Sequence, residues 1–277
     1  MTFFERFLAL DRRVIYPLVG LAVVLPLVFP IGFKVRPTPP AENLFRAVDR
    51  LKPGTPVLVS IDYDPSTEAE LSPMAIAIFR HCIRRHLPLV VIALDPGAPG
   101  LGVTLLDKVA RETHARYGVD YCFLGYKSGA EAVILAFGRD LRLAYPADYY
   151  NIPVEQLPLL RHVKNYDDLG LVISLAAANY PDVWVAYAHE RFGARFAAGV
   201  TAVMAPEYYP YLDTGQLVGM LGGLKGAAEY EALLGRPGLG LKGMDAQTIV
   251  HLFIVLIIVL GNVAYFITRR QAARTRP

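Results

Sequence analysis

The sequence predicts an α/β domain held between two transmembrane helices. Two runs of twenty residues without a charge lie near the ends of the chain, Val14 to Phe33 and Ile249 to Thr268. Between them, short apolar segments typical of buried strands alternate with segments of helical periodicity. Charged residues make up only 19% of the chain, below the roughly 25% of a soluble domain. The composition therefore agrees with a membrane protein.

The two uncharged runs have the length that a bilayer requires. About 20 apolar residues at a rise of about 1.5 Å each cross a hydrocarbon core of about 30 Å. The first run contains Pro17, Pro26 and Pro30, and proline kinks a membrane helix without excluding it. We interpret this run as an uncleaved signal anchor, because its apolar core is longer than that of a signal peptide and no small-residue cleavage site comes after it.

Basic residues next to the runs predict the orientation. Three arginines lie within residues 1–13 and four within residues 269–277. Because Lys and Arg favour the cytoplasmic side, we expect both of these terminal segments in the cytoplasm and the central domain outside it. The net charge is only +3, and the domain has no basic run of the kind that binds nucleic acid. The lipid bilayer is the expected partner, and nucleic acid is not.

The predicted elements follow one another in a regular order. After the first span, residues 34–42 contain three prolines and are predicted to form a stiff linker, with the domain over residues 43–245. Strands are predicted over residues 57–61, 89–94, 121–124, 171–175 and 196–203, and helices over residues 43–51, 71–86, 103–117, 129–137 and 182–192. Apolar strands separated by helices favour a parallel sheet covered on both faces. We therefore predict a doubly wound, mostly parallel, Rossmann-like sheet.

Asp62 and Asp64 come directly after the first predicted strand, where ligands bind in such sheets. Paired carboxylates suit a hard cation such as magnesium. The stretch from Asp62 to Thr67 resembles the first motif of the haloacid dehalogenase-like phosphohydrolases, although Pro65 stands where that family has a glycine. The resemblance implies Asp62 as the nucleophile, Asp64 as the acid/base and Lys127 as the family lysine, with magnesium as the cofactor. Alternatively, the two aspartates shape a turn and cap the segment after it.

A candidate anion site lies after the third predicted strand, at Lys127, Ser128 and Gly129. The free N–H groups and the dipole at a helix N-terminus attract anions. The alternative is a capping box, with Ser128 as the N-cap and Glu131 as its partner.

Two tyrosine-rich segments are candidate partner surfaces. Tyr149 and Tyr150 lie in a long predicted loop, and Tyr208, Tyr209 and Tyr211 come after the fifth predicted strand. Tyrosine is favoured at protein interfaces because its side chain is large, rigid and amphipathic. Ordinary packing of these segments over the sheet is the alternative.

The segment 214–235 is unusually rich in glycine, which costs a helix about 1 kcal/mol per residue relative to alanine. The glycines are Gly215, Gly219, Gly222, Gly223 and Gly226. If the segment is helical, four of them share one face, which would admit a second backbone at close range. We therefore predict a tightly packed helix here, at a contact between subunits of a homo-oligomer or at the bilayer surface, with close docking on its own sheet as the alternative.

These patterns favour a membrane-anchored, non-enzymatic module, either a self-associating scaffold or a binding component of a complex with other membrane proteins. The alternative is the magnesium-dependent phosphohydrolase. Cys82 and Cys122 are the only cysteines. We expect two buried thiols, with a disulfide as the alternative if the domain is extracytoplasmic.

Overall fold

The computed structural model describes residues 11–274. The chain forms two compact units. One is an α/β domain, Val35–Leu241, and the other consists of the segments that precede and follow this domain in the sequence.

The domain is built on one parallel sheet of six strands in the order β3-β2-β1-β4-β5-β6. The strands are β1 (Val57–Asp62), β2 (Leu89–Ala93), β3 (Tyr121–Tyr126), β4 (Leu171–Ala176), β5 (Phe196–Val200) and β6 (Met220–Gly222). The predicted parallel α/β sheet is confirmed, and its strand order is that of the Rossmann fold. The order reverses at β1, which has β2 on one side and β4 on the other.

Burial on both faces explains the apolar strands. Val57, Val59 and Ile61 pack into the core on one face of the sheet, whereas Leu58 packs into the core on the other. Side chains alternate along a strand, so a strand covered on both sides must be apolar throughout. Cys82 and Cys122 are buried free thiols in opposite cores, and burial raises the pKa of Cys82 to about 12.

Helices cover both faces. They are α1 (Arg12–Val28), α2 (Pro39–Asp49), α3 (Glu68–Arg84), α4 (Ala98–Thr113), α5 (Ala130–Arg139), α6 (Leu141–Ala144), α7 (Tyr180–Trp184, continued by a π-helical turn Val185–His189 and a last turn Glu190–Phe192), α8 (Ala205–Asp213), α9 (Gly223–Leu233) and α10 (Leu239–Arg274). The predicted linker over 34–42 is too long, because α2 begins at Pro39. Prolines are tolerated in the first turn of a helix, where N–H groups have no intrahelical acceptor.

The prediction of one helix over residues 214–235 is wrong. This segment contains a turn, the strand β6 and only then α9. Gly215 and Gly223 adopt positive φ angles of 79° and 58°, which suit glycine at breaks between elements. The regular spacing of the glycines therefore does not place them on one helix face.

Three glycines in this segment allow close packing inside the domain. A Cβ on Gly219 would lie 2.7 Å from the Cα of Leu44 in α2. A Cβ on Gly222 would lie 2.8 Å from the Cβ of Ala205, and one on Gly226 would lie 2.9 Å from the Cα of Leu221. These glycines serve contacts within one chain, as in the alternative of tight docking on the domain's own sheet.

The second unit contains the two apolar terminal segments. Within the described residues, one helix, Leu239–Arg270, is long and apolar enough to cross a membrane, and only 6% of its most apolar stretch is buried. The first predicted span, 14–33, is a shorter apolar helix that ends at Val28. Its seventeen helical residues, Arg12–Val28, extend about 26 Å. In the same unit the Asp245 carboxylate accepts hydrogen bonds from Gly32 N and Phe33 N, at 2.7 and 3.1 Å.

Helix α9 carries two buried glutamates that bind the two ends of the domain. Glu231 is 1% exposed and accepts hydrogen bonds from the backbone N–H groups of Gly238, Gly240 and Leu241, at 2.8 to 2.9 Å. Glu229 accepts a hydrogen bond from Thr38 Oγ1, at 2.8 Å, and pairs with Lys225. The chain therefore enters and leaves the domain at the same helix.

We expect Glu231→Ala to lower the free energy of unfolding by about 3 kcal/mol, because it leaves three N–H groups at the start of α10 without their acceptor. Glu231→Gln keeps one acceptor oxygen and should cost less. Urea unfolding of the full chain in neutral detergent measures both effects. The exposed Glu155, replaced by alanine, is the control. Equal stability of Glu231→Ala and Glu155→Ala would show that the three hydrogen bonds contribute nothing.

Candidate functional site

Asp62 occupies the point where the strand order reverses, at the carboxyl end of β1. It is fully buried, and each of its carboxylate oxygens accepts two hydrogen bonds from groups of the domain. Oδ1 accepts from Ser60 Oγ at 2.5 Å and from Leu94 N at 3.2 Å. Oδ2 accepts from Ser174 Oγ at 2.7 Å and from Trp184 Nε1 at 3.2 Å.

The four hydrogen bonds connect β1 with β4, with the end of β2 and with α7. Burial raises the pKa of Asp62 from 3.8 to about 6, although the four hydrogen bonds act in the opposite direction. The Tyr145 hydroxyl is also buried and has no hydrogen-bond partner among the described residues. Burial and the charge on Asp62 both raise the pKa of Tyr145. Asp62 is thus buried, and four hydrogen bonds from the domain bind its carboxylate.

The loops around Asp62 contact one another at the carboxyl ends of the strands, where doubly wound folds bind their ligands. Tyr180 donates a hydrogen bond from its hydroxyl to the carbonyl oxygen of Leu94, at 3.3 Å. A Cβ on Gly97 would lie 2.8 Å from the Cβ of Asp64, so the loops after β1 and β2 are in close contact.

Asp64 does not join Asp62 in a paired site. Asp64 is exposed, and its Oδ1 accepts hydrogen bonds from the N–H group and the hydroxyl of Ser66, at 2.8 and 2.5 Å. These bonds lower the pKa of Asp64 and cap the short 3₁₀ helix Pro65–Thr67. Over the described residues, no group of three or more His, Cys, Asp or Glu side chains is placed to hold a metal ion.

The candidate anion site is exposed at the start of α5. Lys127, Ser128 and Gly129 all face solvent. The predicted capping box is wrong, because Gly129 is the N-cap, with φ 78°, and no side chain caps the helix. Anion binding at these residues stays a prediction.

The second tyrosine-rich segment forms α8, in which Ala205 and Tyr208 are buried and most of the other residues are exposed. Tyr208 is 1% exposed, so its prediction as a partner surface is wrong. The hydroxyls of Tyr208 and Tyr211 both donate to the Asp182 carboxylate, each at 2.7 Å. Tyr209 is the half-exposed tyrosine of this helix, at 50%.

Tyr149 and Tyr150, in contrast, form an exposed aromatic surface beside the edge strand β3. We call these two residues the tyrosine platform. The two residues are 43% and 49% exposed, and their ring centroids lie 5.2 Å apart at an interplanar angle of 87°. Tyr150 also contacts Tyr117, at 5.1 Å, and Tyr149 packs on Phe123, at 5.2 Å.

A buried aspartate holds the platform in place. Asp148 is 5% exposed and accepts hydrogen bonds from Tyr117 Oη at 2.6 Å, Tyr150 N at 2.9 Å and Ile152 N at 2.8 Å. An aspartate at the start of a turn is a readable sequence signal for such a loop, but the sequence prediction did not include it.

A cavity at the amino ends of the strands was also not predicted. Its volume is about 400 Å³, and it lies at the amino ends of the strands, with Pro56, Pro88 and Pro158 in its wall. His162 and Asp168 are its ionisable residues. They are distant in sequence from every predicted site residue, so no sequence pattern indicated them.

We expect the pH dependence of stability to reveal the buried state of Asp62. Its folded pKa, about 6, lies above the unfolded value of 3.8, so it stabilises the fold fully below pH 3.8 and loses this contribution as the pH rises through 6. The shift corresponds to about 3 kcal/mol. The stability difference between the native chain and Asp62→Asn should therefore change by about this amount between pH 4 and pH 7.

Urea unfolding at several pH values in neutral detergent measures this difference. Asp64→Asn is the control, because the pKa of Asp64 is lowered, and its offset from the native chain should stay constant above pH 4. Parallel curves for the native chain and Asp62→Asn would contradict the raised pKa.

Comparison of the chain with known protein families, with curated proteins and with solved structures finds no match. The strand order, the buried Asp62 and the tyrosine platform are therefore the features of this chain that bear on its function.

Proposed function

We propose that the chain is a membrane-anchored, non-enzymatic α/β module that serves as a binding component of a membrane complex. In this proposal two spans hold the chain in the bilayer, both termini lie in the cytoplasm and the domain lies outside it. The tyrosine platform is the surface that meets the partner.

The exposed apolar surface of the terminal helices supports anchoring. In α10, Leu252, Ile258 and Val259 are each more than half exposed, at 63%, 56% and 51%. In α1, Leu21 and Val24 are exposed at 52% and 54%. A soluble protein rarely exposes such contiguous apolar surface, whereas lipid covers it. To cross the membrane, the shorter α1 would have to lie parallel to the bilayer normal or span a locally thinned bilayer.

The burial of Asp62 and the four internal hydrogen bonds to its carboxylate are the observation that carries the non-enzymatic part of the proposal. In a doubly wound fold, chemistry depends on access to the carboxyl ends of the strands at the reversal of strand order. Here the Asp62 oxygens accept four internal hydrogen bonds. The phosphohydrolase alternative has less support, since a nucleophilic carboxylate needs a free oxygen and an open path to the substrate.

We expect the intact chain to stay with the membrane after alkaline carbonate washing, and its domain to be accessible from outside the cell membrane. Ser66→Cys places a thiol at an exposed position of the domain. A membrane-impermeant maleimide should label this thiol in cells whose cytoplasmic membrane is intact and whose outer layers have been made permeable. The native chain is the control, because Cys82 and Cys122 are buried. Release by carbonate, or labelling only after lysis, would contradict the anchoring or the orientation.

We expect a photo-crosslinking amino acid at position 150 to give a discrete crosslinked product with another membrane protein in intact cells. The same amino acid at position 209 is the control, because Tyr209 is equally exposed but lies outside the platform. Equal products at both positions, or none at position 150, would contradict the role of the platform.

A further inference from the structure

A groove lined by three arginines lies between α2 and the amino ends of β5 and β6. Its volume is about 180 Å³, several times the roughly 30 Å³ of a water molecule. We call its lining residues the arginine groove, and they are Asn43, Arg46, Ala47, Arg50, Arg195 and Val218. None of them is acidic, so the groove presents positive charge from more than one element of the domain.

Contacts within the domain hold the backbone on both sides of the groove. The groove residues of α2 and of its C-cap follow the i, i+3, i+4, i+7 spacing of one helix face. Opposite them, a Cβ on Gly219 would lie 2.7 Å from the Cα of Leu44, so α2 packs directly on the chain next to Val218. Val218 N donates to the carbonyl oxygen of Phe196 in β5, at 2.9 Å. The arginines therefore project from a fixed frame.

Most of the positive charge in the groove is not neutralised by the protein. Among the described residues, no ion pair includes Arg50 or Arg195, and Arg46 pairs only with Glu42 of its own helix. The Arg195 side chain donates to a neutral group, the carbonyl oxygen of Gly170, at 3.4 Å. Arg46 and Arg50 are four residues apart, a helical spacing at which like charges repel by about 0.2 to 0.5 kcal/mol. A bound anion would remove this repulsion.

Capping of α2 does not account for Arg50. The last carbonyl groups of a helix attract cations, and an arginine at this position could serve them. Here, however, Arg85 donates to the carbonyl oxygen of Asp49, at 2.7 Å. The end of α2 thus has another arginine, and Arg50 lines the groove.

We propose that the arginine groove binds a terminal phosphate group, that is, a phosphomonoester. The guanidinium fork of arginine donates two parallel hydrogen bonds to phosphate oxygens. A phosphomonoester carries a charge of about −1.5 to −2 at neutral pH, which matches the two arginines without a carboxylate, whereas a phosphodiester or a carboxylate carries only one charge. The phosphate group can belong to a soluble molecule or to the headgroup of a lipid such as phosphatidic acid. The inference goes beyond the proposed function, because it does not involve the tyrosine platform.

The first arm of the test uses the full chain in neutral detergent, with binding measured by titration calorimetry. The probe is glycerol 3-phosphate, and the matched probe is its methyl ester, a phosphodiester with one negative charge. We expect the monoester to bind about tenfold more tightly than the diester. Its affinity should fall as the pH is lowered from about 7.5 to about 5.5, because the second pKa of the phosphate is about 6. It should also fall as salt is added, because the three arginines are exposed.

Variants assign this binding to the groove. Arg50→Gln and Arg195→Gln should each weaken binding of glycerol 3-phosphate about fivefold. Arg50→Lys keeps the charge without the fork and should weaken it less. Arg161→Gln is the matched control, because Arg161 is also exposed and without an ion pair but lies outside the groove. Thermal unfolding of each variant verifies that the fold is intact.

The second arm distinguishes the source of the phosphate group. The detergent-solubilised chain is mixed with phosphatidic acid or phosphatidylcholine, and bound lipid is counted by native mass spectrometry. Phosphatidic acid retained by the native chain and lost in Arg50→Gln and Arg195→Gln would support the site and identify a lipid headgroup. Binding of glycerol 3-phosphate without such retention of lipid would support the site and identify a soluble phosphomonoester.

The inference would be overturned if neither probe bound, or if glycerol 3-phosphate and its methyl ester bound equally. Full affinity for both probes in Arg50→Gln and Arg195→Gln would overturn it as well. None of these outcomes bears on the proposed function, which the carbonate wash and the crosslink at position 150 test separately.

Discussion

The burial of the Glu231 carboxylate inside the domain is the constraint on which the ends of the structure depend. Moving an ionised carboxylate out of water costs several kcal/mol unless hydrogen bonds replace the lost hydration. Three N–H groups at the start of α10 supply these bonds, and the positive end of the helix dipole favours the charge. Helix α9 and the start of the long apolar helix therefore stabilise each other.

The residue beside Glu231 extends this constraint to the rest of the layer. Tyr230 shares a hydrogen bond with His81 Nδ1 in α3, at 2.8 Å, and Phe45 of α2 stacks on His81 at 4.5 Å. Burial lowers the pKa of His81. Together with Glu229 and Thr38, these contacts join three helices and both ends of the domain. The buried polar groups of this layer connect its helices through hydrogen bonds, as Asp62 connects neighbouring elements of the sheet.

Elements that depend on the local sequence pattern could be predicted from the sequence. Elements whose structure depends on contacts between residues distant in sequence could not. β1, β2 and β4 were predictable because each is apolar along nearly its whole length. β6 has only three residues, and the glycines before and after it have the spacing of a helix face. Gly219 is required by its close contact with α2, which is distant from it in sequence. The role of Asp62 likewise depends on Ser174 and Trp184, which lie 112 and 122 residues further along the chain.

The two tyrosine segments show why composition alone could not identify the exposed surface. Each segment has an aspartate partner, but the two aspartates bind different atoms. Asp182 accepts from the hydroxyls of Tyr208 and Tyr211, so the tips of these side chains point to the protein. Asp148 accepts from backbone N–H groups, including that of Tyr150, and leaves the rings of the platform in solvent. Hydrogen bonding to the backbone instead of to the tyrosine hydroxyls thus leaves Tyr149 and Tyr150 about half exposed.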